Sequence, residues 1–331
     1  MWGAKNGGNS YLCGMKHCCI TLAACMLLLL LACQNQSRRK LVEQAPLISQ
    51  TYTDHTGRTI RLPRSPQRVI SIAPNISEII YAIGAAHKLV ARSQACDYPP
   101  QIAEKPVVTT YPQINLEELL LYEPELVIGT DEIFAPEAIA QLDKLGLPVY
   151  IQHYEHFEDI YQGIRELGNI LECSQRAAQL ADSLQQLEAR ITSKTQNEAK
   201  YGCMILVSID PLIVVGGGGF LHQMIEKAGG RNVFEQVEKA YHTSTVEEII
   251  RLQPEYLILP TEDEQVYGRL LAQYPYLQNM PAAVNQQVYR VDPDLMYRPG
   301  PRVLRGLLEL THILHSSLNP RQFLEEGSQT P

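Results

Sequence analysis

Two stretches of the chain place carboxylates and aromatic rings at the same spacing. Residues 111–128 read YPQINLEELLLYEPELVI, and residues 241–258 read YHTSTVEEIIRLQPEYLI. Without a gap, Tyr111 falls on Tyr241, Glu117 on Glu247, Glu118 on Glu248, Pro124 on Pro254 and Glu125 on Glu255. An acid at a helix start complements the positive end of the helix dipole. A duplicated, exposed acid can also orient a basic partner through matched charge. A tyrosine offers a flat apolar face and a hydroxyl that donates, accepts or, as phenolate, holds ferric iron. This is the chemistry of recognition. For hydrolysis the chain lacks both the G-x-S-x-G elbow and the H-E-x-x-H pair. His153 and His156 could ligate haem iron or zinc, but no third ligand accompanies them, which leaves them weak metal candidates. The run VVGGGGFL invites a nucleotide reading and fails it. Leu221 stands where G-x-G-x-x-G needs its last glycine, and no Gly-Lys-Ser/Thr follows. Glycines 216–219 instead suggest backbone that passes close to a ligand or a hinge, with Gly217 and Gly218 as candidates to touch the ligand.

These groups must be positioned by the elements around them. TYTDHTGRTIRLP (51–63) reads as a β-hairpin turning at His55-Thr56-Gly57. RVISIA is a buried strand ended by Pro74-Asn75, and ISEIIYAIG continues at helical spacing to a C-cap at Gly84. KLVARS, ELVIGT and LPVYIQ are strands. NLEELLLYEP and APEAIAQLDKLG are helices, the second with proline in its first turn. The alternation predicts an α/β fold with a mostly parallel sheet. From 157 to 200 the pattern is helical throughout, and a long Ala/Leu/Gln-rich helix over 174–194 suits a stiff strut. Strand–helix alternation then resumes and closes with the amphipathic GPRVLRGLLELTHILHS, where Thr311 alone interrupts the apolar side. The expected architecture is two α/β lobes, 51–157 and 201–331, joined by a helical segment over 158–200 built on one long rigid α-helix. The 130-residue repeat is then a repeat of lobes.

The 331 residues are 45 % apolar and 19 % charged, with a formal charge of −8, which argues against a nucleic-acid partner. MKHCCITLAACMLLLLLACQ, starting at Met15, has a basic residue and an apolar run over 20–32 of secretory-signal length. LLAC at 30–33 matches a bacterial lipobox, so residues 1–33 read as a lipoprotein signal with Cys33 as the lipidated, first mature residue. Residues 34–50 are polar and irregular and suit a flexible tether. Five of eight cysteines fall in the leader. Cys96, Cys173 and Cys203 remain, with no CxxC spacing; they read as small buried hydrophobes, with one disulfide among them as the alternative.

Seven segments in order, behind the lipobox, resemble the solute-binding proteins of ABC importers for cobalamin and iron complexes, the class with a helical backbone between two α/β lobes. They are RVISIAPNISEIIYAIGA (68–85), CDYPP (96–100), NLEELLLYEPELVIGT (115–130), GLPVY (146–150), FLHQMIEKAGGRNVF (220–234), TVEEIIRLQPEYLIL (245–259) and RPGPRVLRGLLEL (298–310). The resemblance implies a binding protein, not an enzyme. It implies capture of a cobalamin, another corrinoid or a ferric siderophore between the lobes, with haem as the alternative cargo. Glu117 and Glu247 become docking residues for a permease dimer with its ATPase subunits. Asn75, Tyr98, Tyr111, Tyr241, Tyr297 and Arg298 become candidates for the ligand cleft, Arg298 equally for a loop salt bridge. The chain is expected to be monomeric, extracytoplasmic and held to a bacterial membrane by lipid. The bound molecule is cargo, and no resident cofactor is expected. A secreted hydrolase would need a nucleophile cluster in the cleft. A metal-ion lipoprotein would need a small polar cleft with three converging ligands.

Overall fold

The computed structural model describes residues 49–63 and 65–325. The leader, Cys33 and tether residues 34–48 lie outside them. The chain enters through the hairpin β1 (Ser49–Thr53) and β2 (Thr59–Pro63). Its turn is closed by Asp54, whose buried carboxylate accepts from the backbone N–H of Thr56 at 3.0 Å and of Arg58 at 2.9 Å. Gly57 supplies the left-handed residue at φ 84°.

The first sheet is five-stranded and wholly parallel. Its members are β3 (Val69–Ser71), β4 (Leu89–Ser93), β5 (Val107–Val108), β6 (Leu126–Thr130) and β7 (Val149–Gln152), in the order β5-β4-β3-β6-β7. β3, β6 and β7 are buried at every residue, as strands covered on both faces must be. The helices α1 (Pro74–Ala82), α2 (Leu116–Leu121) and α3 (Pro136–Lys144) alternate with them. α1 ends at Gly84, φ 83°, as its sequence predicted.

The connecting segment is a helical hairpin. α4 (Phe157–Ile170) turns at Glu172, φ 57°, into the 22-residue α5 (Ser174–Thr195). The two run antiparallel: Tyr161 Oη donates to Glu188 at 2.7 Å, Arg165 to Asp182 at 2.7 Å, and a Cβ on Gly168 would stand 2.2 Å from that of Ala177. The long helix expected from the sequence is α5, braced along its length by α4.

The second sheet contains β8 (Gly202–Ile209), β9 (Leu212–Val215), β10 (Arg231–Asn232), β11 (Tyr241–Thr243), β12 (Tyr256–Pro260) and β13 (Val288–Val291). Its order is β11-β9-β8-β12-β13, with β10 also pairing β8. β8, β10, β12 and β13 pair in parallel, whereas β8–β9 and β9–β11 are antiparallel. The helices are α6 (Phe220–Lys227), α7 (Val246–Leu252), α8 (Val266–Gln273), α9 (Pro281–Val284), α10 (Pro293–Tyr297), α11 (Val303–Leu314) and α12 (Pro320–Glu325). The short β5, β10, β11, α9, α10 and α12 escaped the sequence reading because so few residues carry no periodicity. On α11 the fully buried Thr311 gives its hydroxyl to Leu307 O at 2.7 Å, so the one polar interruption is satisfied within the helix. One apolar cluster runs from Ile60 through Ile128, Ile164, Ala181 and Leu221 to Phe323, joining both sheets through the helical hairpin.

The 130-residue repeat is structural in detail. α2 and α7 both start on a side-chain cap, Asn115 receiving Glu118 N and Thr245 receiving Glu248 N, each at 3.2 Å. Both units pass through a left-handed residue, Glu123 (φ 43°) and Gln253 (φ 50°), before the proline. Both following glutamates bind the backbone beside the neighbouring strand: Glu125 takes Gln67 N and Arg68 N, and Glu255 takes Gly202 N. Glu125 and Glu255 are therefore register pins for β6 and β12.

The hairpin at the chain entry is fastened by a titratable contact. His55 Nε2 lies 2.6 Å from Glu166 Oε2, which also accepts from Tyr150 Oη at 2.9 Å, while His55 Nδ1 faces the backbone of His153. The hydrogen bond to Glu166 raises the His55 pKa above its ordinary 6.5 against the opposing effect of burial. A raised histidine pKa stabilises fully below the unfolded value and loses that contribution as pH rises through the folded one. His55→Ala should therefore cost about 1–2 kcal/mol at pH 6 and less at pH 9. Urea unfolding of both proteins at the two pH values checks this, and a cost independent of pH would contradict it.

Candidate functional site

The strand ends converge on a cavity of about 410 Å³ between the two sheets. From the first sheet come Ala73, Pro74 and Asn75 after β3, Thr130 to Ile133 at and beyond the end of β6, and His153 and Tyr154 after β7. From the second come Val207 of β8, Phe220 at the start of α6, Tyr241 of β11, and Tyr297 to Pro299 after α10. An adjoining recess of about 240 Å³ shares Glu132, His153, Tyr154, Phe220 and Tyr241, and adds Glu155, Gly218 and Glu238 among others. Loops beyond the carboxyl ends of parallel strands are where such sheets collect ligand-binding groups.

Of the ligand candidates, Asn75, Tyr241, Tyr297 and Arg298 are brought together in the main cavity, with Gly218 in the recess. Tyr98, Tyr111 and Gly217 are not among the lining residues of either. Tyr111 is 80 % exposed, whereas its repeat partner Tyr241, in the cavity lining, is 44 % exposed. The difference follows from pairing. Tyr241 is held on the edge strand β11 against Val215, while β5 stops at Val108 and leaves residue 111 in a loop. Tyr98 belongs to a separate groove, its ring 4.0 Å from the Arg302 guanidinium. The glycine run admits the protein's own loop: a Cβ on Gly216 or Gly217 would meet Lys239 O at 2.1 Å or Glu235 O at 2.2 Å. Cleft residues absent from the sequence reading include Asp131, Glu132, Tyr154 and Phe220. Asp131 and Glu132 were findable as the residues that follow a fully buried strand.

Burial raises the Tyr297 phenol pKa, with a further contribution from Tyr241, and the Tyr297 hydroxyl is buried with no hydrogen-bond partner. Burial, then the nearby Glu132 carboxylate, likewise raises Tyr241. Both rings are therefore neutral phenols near neutral pH. His153 Nδ1 pairs with Asp131 Oδ2 at 2.7 Å, whereas His156 Nδ1 receives Gln223 Nε2 at 2.6 Å. The two histidines thus serve separate contacts, and no group of three or more His, Cys, Asp or Glu set to hold a metal occurs among the described residues. Cys96, Cys173 and Cys203 are free, and burial pushes the Cys203 thiol up to about 12.

Arg298, in the cavity lining, belongs to an ion network between the lobes. Arg302 makes a bidentate pair with the buried Glu78 of α1, at 2.9 and 2.6 Å. Arg298 binds Asp97 at 2.5 Å and Asp294 at 2.8 Å, with Glu78 at 3.5 Å. Arg298 therefore both lines the cleft and is a loop salt bridge. The hydrogen bond from Arg298 holds the Asp97 carboxyl below its usual range, against burial. Asn75 Nδ2 also crosses the cleft, to Pro299 O at 3.2 Å.

Away from the cleft, Glu117 and Glu247 occupy matching exposed positions in the first turns of α2 and α7, and neither carboxylate has a partner among the described residues. Their neighbours differ. Glu118 accepts from Thr109 N at 2.8 Å, and Glu248 from His242 and Ser244 at 2.9 Å each.

Two α/β lobes on a helical hairpin, with a cleft between strand ends, define a solute-binding protein, and the chain belongs to the periplasmic binding protein family, whose model matches residues 69–295. Among its relatives is the vitamin B12-binding protein of Vibrio cholerae, 30 % identical over 262 residues, covering 78 % of this chain and 92 % of that one. Similar solved structures include the periplasmic vitamin B12 binding protein of Vibrio cholerae, with TM-score 0.66 and 27 % identity over 76 % of this chain and 98 % of that one. A periplasmic heme binding protein from Pseudomonas aeruginosa has TM-score 0.69 and 26 % identity, covering 77 % of this chain and 94 % of that one.

Proposed function

We propose that this chain is the extracytoplasmic binding protein of an ABC importer, anchored by lipid at Cys33, that captures a corrinoid and delivers it to a two-fold permease. The observation that carries the choice of cargo is the 30 % identity that extends over 92 % of a vitamin B12-binding protein. The cleft agrees with it: aromatic faces at Tyr154, Phe220, Tyr241 and Tyr297 suit a preassembled, bulky chelate. Glu117 and Glu247 are the docking pair for basic pockets on the permease, the chain acting as a monomer whose two lobes meet two permease subunits.

The test is binding of cyanocobalamin to the mature chain. The corrinoid absorption should co-migrate with protein in gel filtration, with a Kd below about 1 μM by calorimetry. Tyr241→Ala should weaken it about tenfold by removing one aromatic face. Haem is the second reading, favoured by the likeness to the Pseudomonas aeruginosa heme binding protein. A Soret band acquired from haemin, with no corrinoid retained, would replace the first reading by the second.

A further inference from the structure

We infer that the cleft selects against negatively charged chelates and takes neutral or cationic ones; this rests on the binding reading above and narrows its ligand by charge. Four carboxylates line the cavity and its recess: Asp131 and Glu132 after β6, Glu155 after β7, and Glu238 on the opposite lip. The lysine or arginine lining them is Arg298 alone. Its charge is already taken. Arg298 and Arg302 together serve three carboxylates, Glu78, Asp97 and Asp294, so the network carries one negative charge in excess. His153 is held between Asp131 at 2.7 Å and Glu155 at 3.8 Å and is no free cation for a ligand. Lys239, beside Glu238, is exposed and lies outside the lining.

The neutral side of the cleft points the same way. The Tyr297 hydroxyl is buried without a partner, and burial keeps it protonated, so it offers one neutral donor to an acceptor on the ligand. Asn75 gives one amide N–H to Pro299 O, and its second N–H is a further neutral donor. A ligand carboxylate entering here meets neutral donors and a like-charged wall, and like charges juxtaposed at an interface are disfavoured. A ligand amide meets the phenol without the repulsion. Corrinoid side-chain amides have that character.

The experiment compares cyanocobalamin with its mono- and dicarboxylate derivatives, in which one and two side-chain amides become carboxylates of nearly the same shape. Binding to the mature chain is measured by calorimetry near neutral pH, at low and at high salt. Each added carboxylate should weaken binding at least about tenfold at low salt, and the gap should narrow at high salt as the field is screened. Equal or tighter binding of the carboxylates overturns the charge inference while leaving the corrinoid reading intact. So does a loss that ignores salt, which would reflect a missing amide donor. If no corrinoid binds, the corrinoid reading fails, and the same comparison passes to haemin against its dimethyl ester. Tighter binding of the ester then supports the charge inference, and tighter binding of the diacid overturns it.

Discussion

Replacing Glu78 with alanine should destabilise the protein by about 3–5 kcal/mol, the cost of leaving one partner of a buried ion pair uncompensated. Glu78 is 3 % exposed and Arg302 9 % exposed. Without Glu78, the Arg302 guanidinium keeps only Asp294 at 3.5 Å and the face of Tyr98. The pair joins α1 of the first lobe to the start of α11, 224 residues away, so its loss should also free the lobes to tilt. Urea unfolding gives the energy, and hydrogen exchange over 74–82 and 298–305 gives the local loosening. A loss below about 1 kcal/mol would show the pair to be solvated and incidental. The paired substitution Glu78→Leu with Arg302→Met is the informative contrast. Removing both charges avoids the orphan, so most of the stability should return while the lobe orientation becomes less defined.

The double reversal Glu117→Arg with Glu247→Arg should reduce uptake by about a hundredfold, roughly tenfold for each carboxylate that meets a basic pocket. Ligand affinity should hold, because neither residue lines the cavity. Uptake in cells and ligand calorimetry, measured separately, decide between docking and the cleft. Undiminished uptake would end the docking proposal; a large loss of affinity would move these residues into the ligand site. Glu118→Gln with Glu248→Gln is the control. Those carboxylates are occupied by Thr109 N and by His242 and Ser244, so they act on local structure. The geometry separates two neighbouring acids that the sequence presents as equals.

Local chemistry was legible along the chain. Periodicity at Ile76, Ile79, Ile80 and Ile83, proline at the start of α3 and the Gly84 stop all depend on residues a few positions apart. Two lobes followed from the repeat, since the same helix–proline–strand unit at a fixed offset places its exposed acid alike each time. The cleft was legible only in part. Asn75 was reachable from a strand end and Tyr241 from the repeat, whereas Tyr297 and Arg298 came from the family resemblance. Tyr111 was not distinguishable from Tyr241, because the difference lies in whether an edge strand forms beside it.

What the sequence by itself determined is the longer elements, their order and the class of chemistry, since these follow from spacing and side-chain type. Only the tertiary structure decided which charges are free. Arg298 meets Asp97 across 201 residues and Arg302 meets Glu78 across 224, so the one cation among the ligand candidates is paired with the opposite lobe. Electrostatic character depends on distance in space, and no local pattern carries that distance.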